Sequence, residues 1–471
     1  MRMWRGLIVV FVLLTGGMSA VVSDAGSPAL VREGFVETPD GQRLFYQEYG
    51  EGDRVVVAPG GMYLAGQLPR LVKGRRLVLY DQRARGRSDR VTDQTRLGVG
   101  YEVADLESIR RGLGLGRISV IGWSYLGLVA ARYALEYPDQ VERVVQIGPI
   151  PARRDPYWGR FVGEMARRRT PEETALFEAL MVESRESEAP AALIRRYYET
   201  AHRPVFYGPV VEDGFRGDFY TLINEAPHHV WGFQIPAILE SLGNWDLREK
   251  LAGLEAPLLT IHGVHDSIPM ASAREWADLV PDGRLVMIPG AGHFPWLEQP
   301  YLVADALSDF LEGKDPELTL RGDRSGPPDI DGVWQIRSIA TRDGSGPVIQ
   351  DPLPSLFIFS GNHYSTMWMP GTEAQRAYSD RWNPTEAEKL ARYDALVSSS
   401  GTYVIRGSTL STYPIVARVP EFIGGKLDYE LHLKGEMMQL TMIDEYSFDG
   451  VQAPWASAGG GWVLTLVPVK R

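Results

Sequence analysis

Three residues of this sequence could together carry out nucleophilic catalysis, and they occur in the order serine, aspartate, histidine. Ser124 lies in GWSYLG (122–127), Asp266 in HGVHDSIP (262–269) and His293 in PGAGHFPWLEQP (289–300). A serine hydroxyl becomes a nucleophile when a histidine accepts its proton and an acid orients that histidine. The predicted roles are therefore Ser124 as nucleophile, His293 as general base and then general acid, and Asp266 as the group that orients the histidine.

Acyl transfer also needs two N–H donors that face the oxyanion formed in the reaction. Gly60 and Gly61 follow the strand-like run VVVAP (55–59). Glycine lets the backbone approach a substrate oxygen without an intervening side chain. We predict that the backbone N–H groups of Gly61 and of Tyr125, the residue after the nucleophile, form the oxyanion hole. A simple tight turn at the two glycines is the alternative.

The segment around Ser124 departs at one position from the small-x-Ser-x-small pattern that is usual where a strand turns into a helix. Leu126 stands at the second small position, and a glycine follows it. We expect Leu126 to point into space made by small neighbours, while Gly122 and Gly127 make the close backbone contacts. Ser124 itself is expected in a strained turn with positive φ.

Composition excludes several other kinds of chemistry. The chain has 471 residues, no cysteine and a net charge of −11, so it has neither a thiol nucleophile nor the basic surface of a nucleic-acid binder. His262 and His265 flank Asp266, but no third metal ligand is evident, and we predict neither a metal nor a cofactor. The run Arg167–Arg169 is predicted to lie on a solvated helix face.

Each predicted catalytic residue follows a strand-like run, and strands alternate with helices along this part of the chain. The runs are ISVIGW (118–123), APLLTIHG (256–263) and RLVMIPG (284–290). Alternation of this kind predicts a mostly parallel sheet flanked by helices, over residues 30–312. Such a sheet presents functional groups at the carboxyl ends of its strands. Residues 151–245 break the alternation and are predicted to be a helical cap inserted between strands.

The rest of the chain is of a different class. Residues 313–328 are rich in Gly and Pro and read as a linker, and residues 329–471 contain about eight alternating strand-like runs. This pattern predicts a closed antiparallel β-barrel.

The first 25 residues have the charged, apolar and small-residue order of a secretory signal. Their apolar core is shorter than the ~20 residues of a spanning helix. We expect export to the periplasm or the extracellular space, with an uncleaved membrane anchor as the alternative.

With APGGMYL (58–64) and DQRARGRSD (81–89), the chain resembles the α/β-hydrolase superfamily over roughly residues 34–312, and within it the prolyl iminopeptidase branch. That branch has an HGGPG-type oxyanion loop and a DQRG-GRS motif. The resemblance implies a serine hydrolase, either a carboxylesterase or an aminopeptidase. An arginine-rich turn near the oxyanion loop can hold its backbone by hydrogen bonds, so we predict a structural role for the motif at 81–88, with direct substrate contact as the alternative. In the family, acidic residues of the cap bind a free amine. This sequence departs from the branch at Pro59, Met62, Tyr63 and Ala84, and its candidate cap acids are Glu172, Glu173 and Glu225.

The tail resembles a lipocalin-like domain through DIDGVWQI, which places Gly332 and Trp334 in a G-x-W on the first strand. The resemblance implies room for one hydrophobic ligand, and a barrel filled by its own side chains is the alternative. Four aromatic residues could line such a space: Trp334, Trp368, Trp382 and Tyr403.

The sequence as a whole predicts an exported serine hydrolase that cleaves a carboxylic ester or a small amide or peptide through an acyl-Ser124 intermediate. A prolyl iminopeptidase-type aminopeptidase is the narrower alternative. A protein that binds a lipid or another small molecule in the barrel, with an inert hydrolase domain, is the alternative from another class.

Overall fold

A computed structural model describes residues 29–72, 74–185, 190–207, 226–316, 330–373 and 376–469 of the chain. The predicted signal or anchor at 1–25 and most of the predicted linker lie outside these residues. Within the described ranges, none of the helices combines the length and the apolar character that crossing a membrane requires.

The first sheet has eight strands in the order β1-β2-β4-β3-β5-β6-β7-β8. Strands β3 to β8 run parallel, whereas β1 and β2 add an antiparallel edge. Central strands are buried on both faces, which explains why they read as continuous apolar runs. The strands are β1 Leu30–Glu37, β2 Arg43–Tyr49, β3 Val55–Pro59, β4 Arg76–Tyr80, β5 Ile118–Trp123, β6 Val141–Ile147, β7 Leu258–Gly263 and β8 Gly283–Ile288.

Helices connect these strands, and a group of them is inserted between β6 and β7, where the sequence predicted a cap. A π-helical turn, Val230–Gln234, belongs to the inserted group. The helices up to the end of this part are α1 Gly61–Leu64, α2 Leu68–Leu71, α3 Val99–Gly112, α4 Tyr125–Glu136, α5 Tyr157–Arg167, α6 Pro171–Glu183, α7 Ala191–His202, α8 Pro227–His229, α9 Ile235–Leu242, α10 Arg248–Leu251, α11 Met270–Leu279, α12 Pro295–Glu298 and α13 Pro300–Leu311.

The second sheet is antiparallel and closes on itself, because its last strand pairs with its first long strand. The short β10 pairs with the same edge of β9 as β11 does. An α/β sheet followed by an antiparallel barrel is thus the fold class that the sequence predicted. The elements are β9 Gly332–Thr341, β10 Ile349–Gln350, β11 Leu356–Ser360, β12 His363–Trp368, α14 Glu386–Ala395, β13 Val397–Arg406, β14 Thr409–Ala417, β15 Lys426–Lys434, β16 Met437–Tyr446, α15 Pro454–Ser457 and β17 Trp462–Pro468.

The interior of the barrel is a cluster of buried aliphatic and aromatic side chains, among them Leu410, Leu440 and Leu466. Trp334, Trp368 and Tyr403 belong to this cluster or pack against it. Trp382 does not, since it is 89% exposed, and its predicted place in the interior is wrong. It lies in an irregular segment before α14, where no strand alternation fixes which way a side chain points.

The outer face of the barrel packs against helix α13 of the first part. Val404 of β13 and Tyr413 of β14 belong to the same buried cluster as Val303 on that helix. The Tyr413 hydroxyl donates to the Asp305 carboxylate, which also pairs with Arg406 at 3.1 Å. The two parts therefore share a core, rather than being joined only by the chain between them.

Candidate active site

Ser124 occupies the sharp turn between β5 and α4. Its φ of 56° and ψ of −126° lie in a region that non-glycine residues rarely adopt. The turn brings helix and strand so close that a β-carbon on Gly122 would lie 2.1 Å from the Leu126 carbonyl oxygen. The Ser124 N–H donates to the Ile147 carbonyl at 2.9 Å, which fixes the turn to the neighbouring strand β6. The expected positive φ is confirmed.

Leu126 is buried, at 3% exposure, and its side chain lies against the oxyanion loop. A β-carbon on Gly60 would be 3.2 Å from Cδ1 of Leu126. Gly127 makes the second close contact of the turn, because a β-carbon added at this position would lie 3.0 Å from the β-carbon of Pro149. The structure thus accommodates Leu126 as expected, and the leucine side chain packs against the loop at Gly60.

The three predicted catalytic side chains form one chain of hydrogen bonds. His293 Nε2 lies 3.1 Å from Ser124 Oγ, and His293 Nδ1 lies 2.9 Å from Asp266 Oδ2. An ionised aspartate only accepts, so Nδ1 carries the imidazole proton and Nε2 accepts from the serine hydroxyl. This arrangement can move a proton from the serine to the histidine.

Asp266 is buried, and burial alone would raise its pKa. Electrostatic attraction to the His293 and His262 rings, the hydrogen bond from His293 and that from the Ile268 N–H at 2.9 Å outweigh this effect. The pKa of Asp266 therefore lies below its ordinary value. Burial lowers the pKa of His262, whose Nε2 donates to the Ile268 carbonyl at 3.0 Å. Asp266 therefore stays ionised beside a neutral His262, as the orienting role requires.

The loop that carries His293 is held from two sides. The His293 N–H donates to the Val205 carbonyl of the inserted group at 2.8 Å, and its carbonyl accepts from the indole of Trp123 at 3.1 Å. The Trp123 ring also packs on the imidazole, with 5.4 Å between ring centroids. These contacts set the imidazole opposite the serine.

Gly61 and Tyr125 are the first residues of helices α1 and α4, and a backbone N–H at the first position has no intrahelical acceptor. Gly60 has a φ of 87°, and its own N–H donates to the Tyr80 carbonyl at 3.0 Å. This geometry fits the predicted oxyanion hole, in which Gly61 and Tyr125 are the donors.

The DQRARGRS segment folds into a turn fixed by buried polar contacts. Arg83 makes a bidentate pair with Asp105 on α3, at 2.7 and 2.5 Å. Arg85 donates to the Tyr63 hydroxyl at 2.8 Å and so links the turn to the helix that begins at Gly61. Ala84 has a φ of 62°, a conformation that favours the glycine of the related motif. These contacts support the predicted structural role.

A buried polar group lies behind the nucleophile and was not predicted. The Tyr125 hydroxyl accepts from the Gln82 side chain and lies 3.4 Å from Glu102 Oε1. Burial, with help from the charge of Asp105, raises the pKa of Glu102 to about 7. One feature of the sequence could have indicated that Glu102 is buried. Glu102 comes three residues after Val99, and this helical spacing places it on the inward face of α3 with the apolar residues.

The prediction of a solvated face for Arg167–Arg169 is wrong in part. Arg167 is exposed, but Arg168 Nη1 donates to the His265 carbonyl at 2.7 Å and Nη2 reaches the Asp266 carbonyl at 3.4 Å. Arg168 thereby connects the inserted helices to the loop that carries Asp266. Its spacing in the sequence could not show this, because the contact spans almost a hundred residues.

The candidate cap acids do not converge on the nucleophile in the described part of the chain. Glu172 is exposed, and Glu173 caps helix α6 by accepting from the Thr170 N–H at 2.9 Å. Glu225 lies outside the described residues. Among the residues that the structure describes, no group of three His, Asp or Glu side chains is arranged to hold a metal ion.

The family comparison agrees with the architecture of the first part of the chain. The alpha/beta hydrolase fold family matches residues 58–300. A proline iminopeptidase of Heyndrickxia coagulans is 26% identical over 296 residues, which cover 59% of this chain and 98% of that protein. A pimeloyl-[acyl-carrier protein] methyl ester esterase of Nitrosomonas europaea is 31% identical over 197 residues, covering 39% and 68%. The crystal structure of a Mycobacterium smegmatis proline iminopeptidase aligns with a TM-score of 0.46 at 20% identity, covering 60% and 98%.

Proposed function

The chain belongs to the α/β hydrolase fold family and is a hydrolase, and we propose that it cleaves a carboxylic ester or a small amide through an acyl-Ser124 intermediate. One observation carries the proposal. Ser124 Oγ, His293 and Asp266 form a continuous chain of hydrogen bonds, 3.1 and 2.9 Å long, and the serine sits on a strained turn at a helix N-terminus.

The proposed reaction uses only groups of this chain. As Ser124 Oγ attacks the substrate carbonyl, His293 Nε2 takes the hydroxyl proton, and Asp266 stabilises the imidazolium. The N–H groups of Gly61 and Tyr125 bind the oxyanion, assisted by the positive end of helix α4. His293 then gives its proton to the leaving group, and a water molecule releases the acyl group by the same steps.

Covalent labelling tests the nucleophile directly. The full chain is treated with a fluorophosphonate, and the adduct is mapped by mass spectrometry. We expect one adduct on Ser124, and neither adduct nor ester hydrolysis in Ser124→Ala. Ser119→Ala is the matched control, because it removes a buried hydroxyl from the same strand and should label like the wild type. An unlabelled Ser124 in folded wild-type protein would overturn the proposal.

An ester is favoured over a peptide with a free amine as the substrate. The two candidate amine-binding acids in the described residues are exposed or engaged in helix capping, whereas Trp123 and Tyr63 pack together beside the nucleophile, with 5.5 Å between ring centroids. Turnover of short-chain aryl esters and of proline arylamides should be compared at equal enzyme concentration. Faster turnover of the proline arylamide would favour the aminopeptidase alternative.

Export is part of the proposal, and it rests on the residue order of the first 25 positions. Expression of the full chain, followed by cell fractionation and N-terminal sequencing, tests it. We expect a shortened chain outside the cytoplasm. A full-length chain in the membrane fraction would indicate the anchor instead.

Binding of a hydrophobic ligand in the barrel is the second candidate function. Its support is the aromatic pair Trp368 and Trp462, whose rings meet edge to face at 5.1 Å inside the barrel. The fully buried Leu410, Leu440 and Leu466 favour the alternative, a barrel filled by its own side chains. Native mass spectrometry of the full chain distinguishes the two, because a retained apolar molecule would add mass.

A further inference from the structure

Strand β14 of the barrel contains a β-bulge at Ile415. Gly401 of β13 pairs with Pro414 and Ser400 pairs with Val416, so Ile415 has no partner on β13. A β-carbon on Gly401 would lie 2.0 Å from the Tyr413 carbonyl oxygen, which shows how closely the two strands approach here. A bulge bends its strand and redirects a side chain.

The redirected side chain touches the loop that carries His293. A β-carbon on Gly290 would lie 2.8 Å from Cγ1 and 3.1 Å from Cγ2 of Ile415. Gly290 has a φ of 65° and begins the segment Gly-Ala-Gly that precedes the histidine. A segment of this composition has few side chains of its own to fix its backbone.

A second part of the barrel contacts the other end of the same loop. Gly424 donates to the Pro414 carbonyl at 2.9 Å, and a β-carbon on it would lie 2.5 Å from the Glu298 carbonyl oxygen. The Glu298 carboxylate reaches back to the loop and accepts from the Gly292 N–H at 2.8 Å, and it also accepts from the Tyr207 N–H at 2.5 Å. The barrel thus contacts the residues on both sides of His293.

We propose that the bulge of the barrel holds the histidine loop in place, so that Ile415 is a positioning residue for hydrolysis. The inference rests on the proposed function, in which His293 takes the proton of Ser124. Its physical basis is that a misplacement of about 1 Å in a catalytic group can slow a reaction by about 10²-fold. Ile415 is proposed to act through the backbone of residues 290–293, which it contacts at Gly290.

Full-length variants at two adjacent positions test this inference. Ile415→Ala removes both Cγ atoms that face Gly290, whereas Ile415→Val keeps both of them. Val416→Ala is the matched control, because Val416 is the next residue on the strand and is 63% exposed. We expect kcat for an aryl ester to fall about tenfold in Ile415→Ala with KM unchanged, and to stay near the wild-type value in Ile415→Val and Val416→Ala. Equal kcat in Ile415→Ala and Val416→Ala would overturn the inference.

Labelling separates this inference from the proposed function. If wild-type Ser124 does not react with a fluorophosphonate, the proposed function fails. If the wild type reacts and Ile415→Ala reacts equally fast, only the role of the barrel fails. Should Ile415→Ala not fold, Ile415→Leu decides the matter, because it keeps the volume but moves the branch away from Gly290. A reduced kcat in the folded leucine variant would support the inference, and an unchanged one would contradict it.

Discussion

Replacing Glu102 by glutamine should stabilise the protein at neutral and alkaline pH. Glu102 is 3% exposed, and its Oε2 has no hydrogen-bond partner among the described residues. Burial and the nearby Asp105 raise its pKa from 4.5 to about 7, although Arg83 and Arg85 offset part of the effect. At about 1.4 kcal/mol per pKa unit, the ionised group costs on the order of 3 kcal/mol of stability.

The sign of this pH dependence follows from whether the folded or the unfolded state binds the Glu102 proton more tightly. Between pH 4.5 and 7 the folded state keeps the Glu102 proton while the unfolded chain releases it, so the wild-type stability falls as pH rises through this window. Glutamine has the same shape and no charge, and the variant lacks this loss. Glu102→Gln should therefore match the wild type near pH 4.5 and exceed it at pH 8.

Urea unfolding at pH 4.5, 6 and 8, followed by circular dichroism, measures the difference. Glu107→Gln on the same helix is the control of opposite sign. Burial alone would raise the pKa of Glu107, but the hydrogen bonds from Arg110 and Tyr133 lower it, so its loss should destabilise the protein at pH 7. A Glu102→Gln variant that is less stable than the wild type at pH 8, or whose effect does not change with pH, would refute the reasoning.

Three further outcomes follow from the site. Leu126→Ala should lose about 2–4 kcal/mol of unfolding free energy and gain no activity, because the side chain is buried against Gly60. Thermal melting measures the stability and ester turnover measures the activity, and a more active variant would contradict this account. Arg83→Met should lose about 3–5 kcal/mol, since it leaves Asp105 buried and unpaired; a urea midpoint close to that of the wild type would show that the pair contributes little. Gly148→Ala should reduce kcat strongly, because the new β-carbon would lie 3.0 Å from Nδ1 of His293, the proposed general base. Full activity of this variant in ester turnover would mean that the loop carrying His293 moves aside without loss.

The sequence could bring Ser124, Asp266 and His293 together because its signals are local. Ser124, Asp266 and His293 each follow an apolar run that ends in a turn, and a parallel sheet brings such turns to one edge. The barrel was predictable for a similar reason, since period-two alternation marks strands wherever they pair.

The supporting contacts were not predictable, because they join residues that are far apart in sequence. Arg168 reaches the loop of Asp266 from an inserted helix, and Ile415 reaches Gly290 from a different sheet. Neither residue type nor periodicity predicts such contacts, because they depend on how helices and strands pack against each other. The exposed Trp382 was predicted wrongly for another reason. Outside a regular strand, the sequence pattern does not indicate whether an aromatic side chain points inward or outward.

The core shared by the barrel and helix α13 limits how this chain can be divided for practical use. A version that ends after α13 would expose to water the apolar surface that Val404 and Tyr413 now cover, and it would remove both partners of the Asp305 carboxylate. We expect such a fragment to aggregate during expression, because exposed apolar patches promote association. We therefore expect the barrel and helix α13 to behave as one unit, which should be kept together when the chain is shortened or recombined.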